Sequence, residues 1–547
     1  MLLSGVGVTN PMVLRPGIKL RFDLNNAGDV IGNKFSDANA WQLQGGWAVR
    51  QPCGLTEREA RFPYLERVQL MTATGGNMWR DLFVDPLDRS TMTDYAFEPL
   101  ISACRNIVAL GLTPEIKTGS VPLKFCAEPN IQSEFDVNSL PPDDFDVYYD
   151  YIKAIGDALV AEFGIQEVKT WRFGVFTEYE NKEWFAVYDD NGKVDANATK
   201  IAYFKLYDYT VAALEAALGA QNLDIGAHAM QCTNGLWSPR DFILHCGKGT
   251  NYATGGTGTQ IDYLASSYYD PSPGNFNKKS LADTILELKR WADEAGLSGL
   301  SFGFDEGRLL NGADGRPLYL GRIVAMSYQA AADARQFKTM IENDIDFFSS
   351  WDGGLNLSNN GVDPVSKHVA NLGYKMAGDR FVAPKKSGVP LLWCLNQDIN
   401  GVGGYDAETN TARIMAYHFN ANPNAKRVEP LTITIEGLDK IGKKVKVRQY
   451  IIDDNHANFW PLWWADQTAA GFKNEDYGAS SQWDVNPAAY STNPLHGELF
   501  NKNLERYRAA AKLQYTEKLY PVQNGKLVLT PTMEHHAVVF YEILKAD

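Results

Sequence analysis

Two glutamates, Glu178 and Glu306, are the residues of this chain whose type and placement best suit catalysis. Glu178 comes just after an apolar run at residues 168–176, and Glu306 ends a similar run at residues 300–306. If both runs are strands of one parallel barrel, their carboxyl ends share a rim and the two carboxylates converge across its mouth. Such a pair can cleave a glycosidic bond, because a protonated carboxyl assists the departing oxygen while an ionised one attacks or stabilises the anomeric carbon.

The polar cluster around Glu178 also contains Thr177, Glu180 and Asn181. In an extended chain residues i and i+2 share a face, so Glu180 is a second candidate for a carboxyl group in the cleft. Asn181 is predicted to support this cluster and to contact the substrate. The alternative interpretation is that both glutamates lie in ordinary solvent-exposed turns without a catalytic role. In that case an ion pair could form within residues 305–308.

The elements that must position these residues alternate along the chain. Strand-like runs lie at residues 67–73, 112–117, 168–176, 223–228, 261–269, 300–306 and 345–351. Helical periodicity lies between them, at residues 97–110, 148–163, 203–218, 242–245, 281–295 and 323–341. This alternation predicts parallel strands in an α/β fold, and seven or eight such units in ~300 residues fit a closed (β/α)8 TIM barrel. The Gly-rich first turn of a doubly wound sheet is not found.

The pattern changes after the barrel and predicts a second kind of domain. Short strands separated by turn signals follow residue 390 and favour an accessory antiparallel β-sandwich. We therefore predict an N-terminal segment at 1–60 that partly joins the β-domain, a catalytic barrel at 61–382 and the β-sandwich domain at 383–547. A long insertion at about 460–520 interrupts the sandwich, and insertions of this length are usually functional or pack over another domain.

Composition excludes several classes of partner. The net charge of −14 argues against binding to nucleic acid or to an acidic membrane surface. No apolar run reaches the ~20 residues of a membrane span. The cysteines and histidines show no metal-like spacing, and no phosphate loop is present, so we predict neither a metal nor a cofactor. Free buried thiols are the favoured state of the six cysteines, although one or two disulfides stay open.

Several other residues near strand ends are candidate substrate contacts. Tyr268 or Tyr269 could orient Glu306, since a phenol beside a carboxylate stabilises its charged form. Trp351 could stack on a sugar and Asp352 could bond to it, but a core tryptophan is nearly as good an interpretation. His228, at the end of another strand, is more often a satisfied polar residue of the core than a catalyst.

Most of the chain resembles glycoside hydrolase family 39, which includes β-xylosidases and α-L-iduronidases. Residues 111–122 resemble the third-strand segment of that family, and residues 151–171 resemble the helix and the Gly-Ile-x-Glu-Val-x-x-Trp lead-in to its fourth strand. Residues 203–207 resemble the next helix, residues 304–306 the end of the seventh strand, and residues 453–459 a segment of the β-domain. The resemblance implies that Glu178 is the general acid/base and Glu306 the nucleophile of a retaining mechanism.

The chain departs from that family at three places. Thr177-Glu178-Tyr179 replaces the usual Asn-Glu-Pro, whose Asn bonds to the sugar hydroxyl next to the anomeric carbon. Lys117 stands where the third strand often carries a carboxylate, and Ser267 stands where the sixth strand often carries His. These changes leave the two-glutamate reaction intact but bear on the identity of the sugar. Lys117 could favour an acidic sugar, or it could simply pair with Glu115 or Glu180.

The resemblance implies a retaining exo-acting glycoside hydrolase that releases a terminal sugar or short glycosyl unit, with a pentoside such as an arabinoside or xyloside favoured. The alternatives are a non-catalytic carbohydrate-binding relative and a hydrolase for glycans that contain uronic acids. A carbohydrate is therefore the expected partner. The first residues lack the charged and apolar regions of a signal peptide. We expect an extracellular or periplasmic protein if a signal peptide was trimmed, and otherwise a cytoplasmic one.

Overall fold

A computed structural model gives the fold. It describes residues 17–40, 54–133, 135–230, 235–270, 279–309, 326–350, 361–390, 397–422, 425–472 and 494–546. The strands in chain order are β1 (Ile18–Asp23), β2 (Asp37–Ala40), β3 (Arg67–Leu70), β4 (Thr113–Thr118), β5 (Arg172–Val175), β6 (Asp224–Ala229), β7 (Tyr263–Asp270), β8 (Ser301–Leu309), β9 (Phe347–Ser350), β10 (Arg380–Val382), β11 (Lys385–Ser387), β12 (Gln397–Asp406), β13 (Thr411–Asn420), β14 (Val428–Glu436), β15 (Lys444–Ile452), β16 (Tyr515–Pro521), β17 (Lys526–Leu529), β18 (Thr532–Glu534) and β19 (Val538–Lys545).

The helices begin at capping residues and several end at glycine. Asp144, Asp195, Ser238 and Ser280 each accept a backbone N–H bond at a helix start, which pairs a donor that the helix itself leaves free. The helices are α1 (Leu55–Arg61), α2 (Glu98–Ala109), α3 (Phe145–Phe163), α4 (Ile165–Val168), α5 (Ala196–Leu218), α6 (Pro239–Lys248), α7 (Leu281–Ala295), α8 (Ser327–Glu342), α9 (Val365–Lys375), α10 (Trp460–Ala469), α11 (Pro494–Lys502) and α12 (Leu504–Ala511).

Strands β2 to β9 form a closed barrel in which every neighbouring pair is parallel. The predicted (β/α)8 TIM barrel is therefore confirmed. One boundary near the site differs from the prediction: residues 165–168 form helix α4, and the strand begins only at Arg172. The reason is local, because the N–H of Val168 bonds to the carbonyl of Gly164 and closes a helical turn.

The other strands form two sheets that share a core. One has the order β11-β1-β14-β17, with β18 also paired to β14, and the other has the order β10-β12-β13-β19-β15-β16. Apolar residues of both sheets, such as Leu20 and Ile414, lie in one buried cluster. The predicted accessory sandwich is thus confirmed, with one exception to its antiparallel pattern, since β1 runs parallel to β14.

The domain limits at residues 61 and 383 stay predictions. Within the segment 1–60, strand β1 pairs with the sandwich and strand β2 already belongs to the barrel. The predicted insertion contains helices α10 to α12, and its last residues begin strand β16. These helices surround Trp463 and Phe500, in a cluster that also includes Val362 just before α9. His368 of α9 also contacts the carbonyl of Ala511.

Three cysteines lie in the described part of the chain, and Cys104, Cys126 and Cys246 are all buried free thiols. The other three, Cys53, Cys232 and Cys394, lie outside the described residues. Among the helices that the structure describes, none combines the length and the apolar character needed to cross a membrane.

Candidate active site

The turn after β5 carries Glu178 in a strained backbone conformation. Phe176 and Glu178 have φ angles of 62° and 44°, in the left-handed region that non-glycine residues rarely adopt. Such residues cost about 1–3 kcal/mol each and persist where surrounding contacts hold them. Here the N–H of Tyr179 donates to the carbonyl of His228, and the N–H of Asn181 donates to the carbonyl of Glu178. The fold thus stabilises the turn that presents Glu178.

The carboxylate of Glu178 is buried and accepts a hydrogen bond on each oxygen. The hydroxyl of Ser267, on β7, donates to Oε1 at 2.7 Å. The side-chain amide of Asn181 donates to Oε2 at 2.9 Å. Asn181 therefore lies beside Glu178, as the sequence predicts, and it joins Ser267 in orienting the carboxylate.

Glu306 projects from β8 toward Glu178. One carboxylate oxygen of each glutamate and a ring nitrogen of His228 all lie within 4.8 Å of one another. The hydroxyl of Tyr269 donates to Oε1 of Glu306. Burial, followed by the neighbouring Glu178 carboxylate, raises the pKa of Glu306 well above its usual range. Because two buried carboxylates this close do not ionise together easily, the pair holds one proton over a wide pH range.

A β-bulge explains how β8 directs two consecutive acidic residues into the barrel. Ser266 of β7 pairs with Phe304 and Ser267 pairs with Glu306, so Asp305 is the extra residue of the bulged strand. Side chains of a regular strand alternate between its faces, and a bulge changes that direction locally. Asp305 bonds to Lys117 below the rim, while Glu306 faces Glu178.

The carboxyl of Glu180 bonds to the backbone rather than to the other carboxylates. Its Oε1 accepts the N–H of Met230 at 2.8 Å, and its main-chain carbonyl accepts the N–H of Leu236. Burial raises the pKa of Glu180 well above its usual range, and the Glu178 charge adds to this. Glu180 therefore anchors the chain that follows β6. Among the described residues, it is Glu178 that the structure pairs with Glu306.

Lys117 lies inside the barrel, 1% exposed, and its ammonium is engaged with acidic side chains. It pairs with Asp305 and with Glu115, at 3.3 Å, and it donates to the Tyr263 hydroxyl at 3.2 Å. The predicted pairing with Glu115 is thus present, but Asp305 takes the place that the sequence offered to Glu180. Because the ammonium is buried among these partners, the geometry argues against Lys117 as a ligand of an acidic sugar.

The charges in this interior network balance one another. Burial opposes ionisation of Glu115, but Lys117, Arg172 and Arg67 outweigh it and lower the pKa of Glu115. Burial raises the pKa of Asp305 to about 7, although Lys117 acts in the opposite direction. The network is therefore a neutralised ion cluster directly below the glutamate pair.

The remaining predicted contacts occupy different surroundings. Tyr268 packs edge-on against Phe304 in the core, so Tyr269 is the tyrosine that contacts Glu306. His228 is fully buried, and burial lowers its pKa well below the usual range, so it is neutral. The hydroxyl of Thr177 donates to the sulfur of Met71 at 3.6 Å.

Two predicted contacts, Trp351 and Asp352, lie outside the described residues. Sequence reasoning named Ser267 only as a departure from a family pattern, not as a site residue. Its signal was a serine on a predicted strand, but its contact with Glu178 joins residues 89 positions apart, which no sequence pattern revealed.

The donor atoms of Glu178, His228 and Glu306 form the one set in the described part of the chain that is close enough to hold a metal ion. Hydroxyl and amide donors already bond to both carboxylates of this set, and an incoming cation would have to compete with them. An arrangement of two close carboxyl groups with one shared proton suits proton transfer and nucleophilic attack.

Comparison with known proteins agrees with the sequence resemblance. The model of the glycosyl hydrolases family 39 matches residues 85–295. A β-xylosidase from Geobacillus stearothermophilus is 26% identical over 192 residues, which cover 35% of this chain and 35% of that protein. An α-1,4-L-rhamnosidase from Formosa agariphila is 22% identical over 353 residues, which cover 62% of this chain and 63% of that protein. The chain thus matches less than two thirds of the length of either relative.

Solved structures agree on the architecture over almost the whole chain. The GH39 enzyme from Xanthomonas axonopodis pv. citri superposes with a TM-score of 0.66 at 13% identity, covering 98% of this chain and 100% of that one. At this identity the likeness shows the fold, a barrel with an accessory sandwich.

Proposed function

We propose that this chain, which resembles glycoside hydrolase family 39 in sequence and in fold, is a retaining exo-acting glycoside hydrolase. The observation that carries the proposal is that one carboxylate oxygen of Glu178 and one of Glu306 lie within 4.8 Å of each other across the barrel mouth. Retaining enzymes hold their carboxyl groups ~5–5.5 Å apart, whereas inverting enzymes need ~6.5–9.5 Å to admit a water molecule. The close approach of the two oxygens supports the retaining arrangement and hence double displacement.

In the first step Glu306 attacks the anomeric carbon as the bond from that carbon to the leaving oxygen breaks. Glu178 gives its proton to the leaving oxygen, so the aglycone departs as an alcohol and the sugar stays bonded to Glu306. In the second step the Glu178 carboxylate takes a proton from water, whose oxygen bonds to the anomeric carbon. The bond to Glu306 then breaks, and both glutamates return to their starting states.

The surroundings of Glu306 fit the role of nucleophile once Glu178 carries the proton of the pair. The Glu178 charge is, after burial, the largest influence that raises the pKa of Glu306, and protonation of Glu178 removes it. The Tyr269 hydroxyl and the Lys117 cation act in the opposite direction and favour the ionised form of Glu306. These contacts support the assignment of Glu306 as nucleophile and Glu178 as acid/base.

The substrate we favour is a terminal pentoside, a xyloside or an arabinoside. The β-xylosidase relative supports this choice, and the longer match to an α-1,4-L-rhamnosidase adds α-L-rhamnosides as a second candidate. A hydrolase for uronic acids is less well supported, because the ammonium of Lys117 is engaged inside the barrel. The non-catalytic alternative predicts saturable sugar binding with no hydrolysis.

A panel of 4-nitrophenyl xylosides, arabinosides, rhamnosides and glucuronides in both anomers tests the proposal, together with NMR of the first product anomer. Hydrolysis with a retained anomer supports it, and an inverted first product contradicts it. Glu306→Gln is expected to lower kcat by about 10⁴-fold or more while the protein stays folded by circular dichroism. Near-normal turnover of this variant would refute the role of Glu306.

Azide rescue separates the two glutamates, because azide can replace whichever group is removed. Glu178→Ala with azide is expected to give a glycosyl azide of retained configuration, since the glycosyl-enzyme still forms. Glu306→Gly with azide is expected to give the inverted azide by direct displacement. If Glu178→Ala gave the inverted azide and Glu306→Gly the retained one, Glu178 would be the nucleophile and Glu306 the acid/base.

A further inference from the structure

Three buried side chains form a line of hydrogen bonds that ends on Glu178. Nε2 of His228, on β6, lies 2.7 Å from Oγ of Ser267 on β7. The same Oγ lies 2.7 Å from Oε1 of Glu178, at the end of β5. His228 and Ser267 are both fully buried. Three neighbouring strands of the barrel therefore supply one continuous chain of polar contacts.

The other ring nitrogen of His228 fixes the direction of this line. Nδ1 is buried and has no hydrogen-bond partner among the described residues. An N–H buried without an acceptor is rarer in proteins than an acceptor left without a donor. Because burial keeps the ring neutral, its single proton is best placed on Nε2, where Ser267 can accept it.

With the proton on Nε2, the oxygen of Ser267 accepts from His228 and its own proton points to Glu178. Asn181 donates to the second oxygen of the same carboxylate. Both oxygens of Glu178 thus accept a hydrogen bond, an arrangement that favours the ionised form of a carboxyl group. A protonated Glu178 is a weaker acceptor, so the same two donors stabilise it less than they stabilise the ionised form.

We propose that Ser267, oriented by His228, is a positioning residue that stabilises the ionised form of Glu178 and so sets the pH above which this residue can no longer act as an acid. The inference rests on the proposed function, in which Glu178 must be an acid in the first step and a base in the second. The line of donors favours the second step, because it holds the carboxylate ready to accept a proton from water. No proton moves along the line.

Other titratable groups face this line, and they are unchanged in the variants below. The Glu178 charge acts on Glu306 on β8 and on Glu180 in its own turn. Lys117 on β4 acts on both His228 and Glu306. The further groups that act on Glu306 are Asp305 and Tyr269.

Ser267→Ala tests the inference through the pH profile of kcat/KM, measured with the phenyl glycoside of the sugar that the wild-type enzyme releases. Losing a donor to the carboxylate is expected to move the alkaline limb up by about one pH unit. A limb that stays in place, or moves down, would overturn the inference. Ser267→Thr keeps the hydroxyl and is expected to keep the wild-type limb.

Ser266→Ala is the matched control. Ser266 is equally buried on the same strand, but its hydroxyl bonds to the carbonyl of Ser267 instead of to Glu178. If the shift in Ser267→Ala came only from loosening of β7, Ser266→Ala would show it too. The 2,4-dinitrophenyl glycoside is a second control, because its leaving group departs without a proton and its rate should not respond to the protonation of Glu178.

His228→Leu tests whether the histidine acts through Ser267. The single change is expected to move the alkaline limb in the same direction as Ser267→Ala, but by less. The double variant is expected to show no more shift than Ser267→Ala alone, since its second change removes a contact to a hydroxyl that is already gone. If the shifts of the two single variants instead add in the double variant, His228 and Ser267 act independently, and His228 does not act through Ser267.

A measurement that needs no turnover separates a failure of this inference from a failure of the proposed function. In protein labelled with ¹³C at the glutamate carboxyls, the Glu178 signal is the one lost in Glu178→Gln. Its titration midpoint is expected to rise in Ser267→Ala and to stay in Ser266→Ala. A wild-type enzyme that cleaves nothing refutes the function alone, whereas an unmoved midpoint refutes the role of Ser267 alone.

Discussion

Asp305 and Glu306 are consecutive residues of β8, yet they have opposite partners. Asp305 is fully buried and pairs with the ammonium of Lys117. Glu306 faces a second carboxylate, that of Glu178, and its donor is the neutral hydroxyl of Tyr269. The bulge at Asp305 brings both side chains into the barrel. A cation therefore faces Asp305, whereas Glu306 faces another carboxylate, which together with burial raises its pKa.

This difference distinguishes the barrel interior, whose ion pairs stabilise the fold, from the barrel rim, whose carboxyl groups are placed for reaction. In the interior cluster, the buried ammonium of Lys117 pairs with the buried carboxylates of Asp305 and Glu115. Removing one partner of such a buried ion pair is costly. The rim places two carboxyl groups close together, and one of them, that of Glu178, lies on a strained turn, which costs stability that the rest of the fold must supply. Variants of the two layers should therefore fail in different ways.

The largest effect on stability is expected from Lys117→Met, which removes the cation paired with Asp305 and one of the three cations that act on Glu115. Removing one partner of a buried ion pair typically costs about 3–5 kcal/mol, which urea unfolding would measure. Lys153→Met is the matched control, because Lys153 pairs with Asp157 at the surface of α3 at 2.6 Å, and such a pair contributes less than about 1 kcal/mol.

The double variant Lys117→Met/Asp305→Leu tests the reason for that loss. It removes one of the unpaired acids together with the cation, so it is expected to recover part of the lost stability. If Lys117→Met unfolds at the same urea concentration as Lys153→Met, the interior network does not hold the barrel in the way its geometry indicates.

A smaller effect on stability is expected at the rim as the pH rises, and it comes from burial and from repulsion between carboxylates rather than from loss of an ion pair. The folded protein holds the proton of Glu306 to higher pH than the unfolded chain does, because burial and Glu178 raise its pKa. Between the two pKa values the folded state binds more protons, so stability falls with rising pH, by at most about 1.4 kcal/mol per pH unit. Glu306→Gln removes this penalty, and the variant should gain stability relative to wild type from about pH 4.5 upward.

Urea unfolding of both proteins between pH 4 and pH 8 gives that difference directly. The activity of Glu306→Gln should fall while its stability rises, since the same substitution removes the proposed nucleophile. Parallel stability curves over the whole range would mean that Glu306 ionises as easily in the fold as in the unfolded chain, contrary to the burial of the pair.

The sequence predicted the elements better than the contacts between them. Helix α7 has the predicted bounds because its signals are local, with a serine cap at Ser280 and a left-handed glycine at Gly296. The meeting of Glu178 and Glu306 followed from a general property of parallel barrels, that all strand ends share one rim.

The pairing of Lys117 with Asp305 was missed for a physical reason. These residues are 188 positions apart, and their contact depends on the closure of the barrel and on a bulge that shifts the register of β8. Ser267 lies 89 positions from Glu178 and reaches it across the intervening strand β6, so the donor of that carboxylate was equally hidden. Register is a property of two strands together, and a pattern within one strand does not contain it.

The smallest effect is expected from Thr177, the rim residue that departs most clearly from the family pattern. Its hydroxyl donates to the sulfur of Met71, a weak acceptor, so a sugar hydroxyl would compete well for it. Thr177→Val keeps the shape and should lower kcat/KM by no more than about tenfold, the value of one neutral hydrogen bond, without changing the urea midpoint. On a 2-deoxy glycoside the variant and wild type should react alike if Thr177 contacts the hydroxyl next to the anomeric carbon. An equal loss on both substrates would instead assign Thr177 to shaping the turn of Glu178, and the rim would then recognise that hydroxyl through another residue.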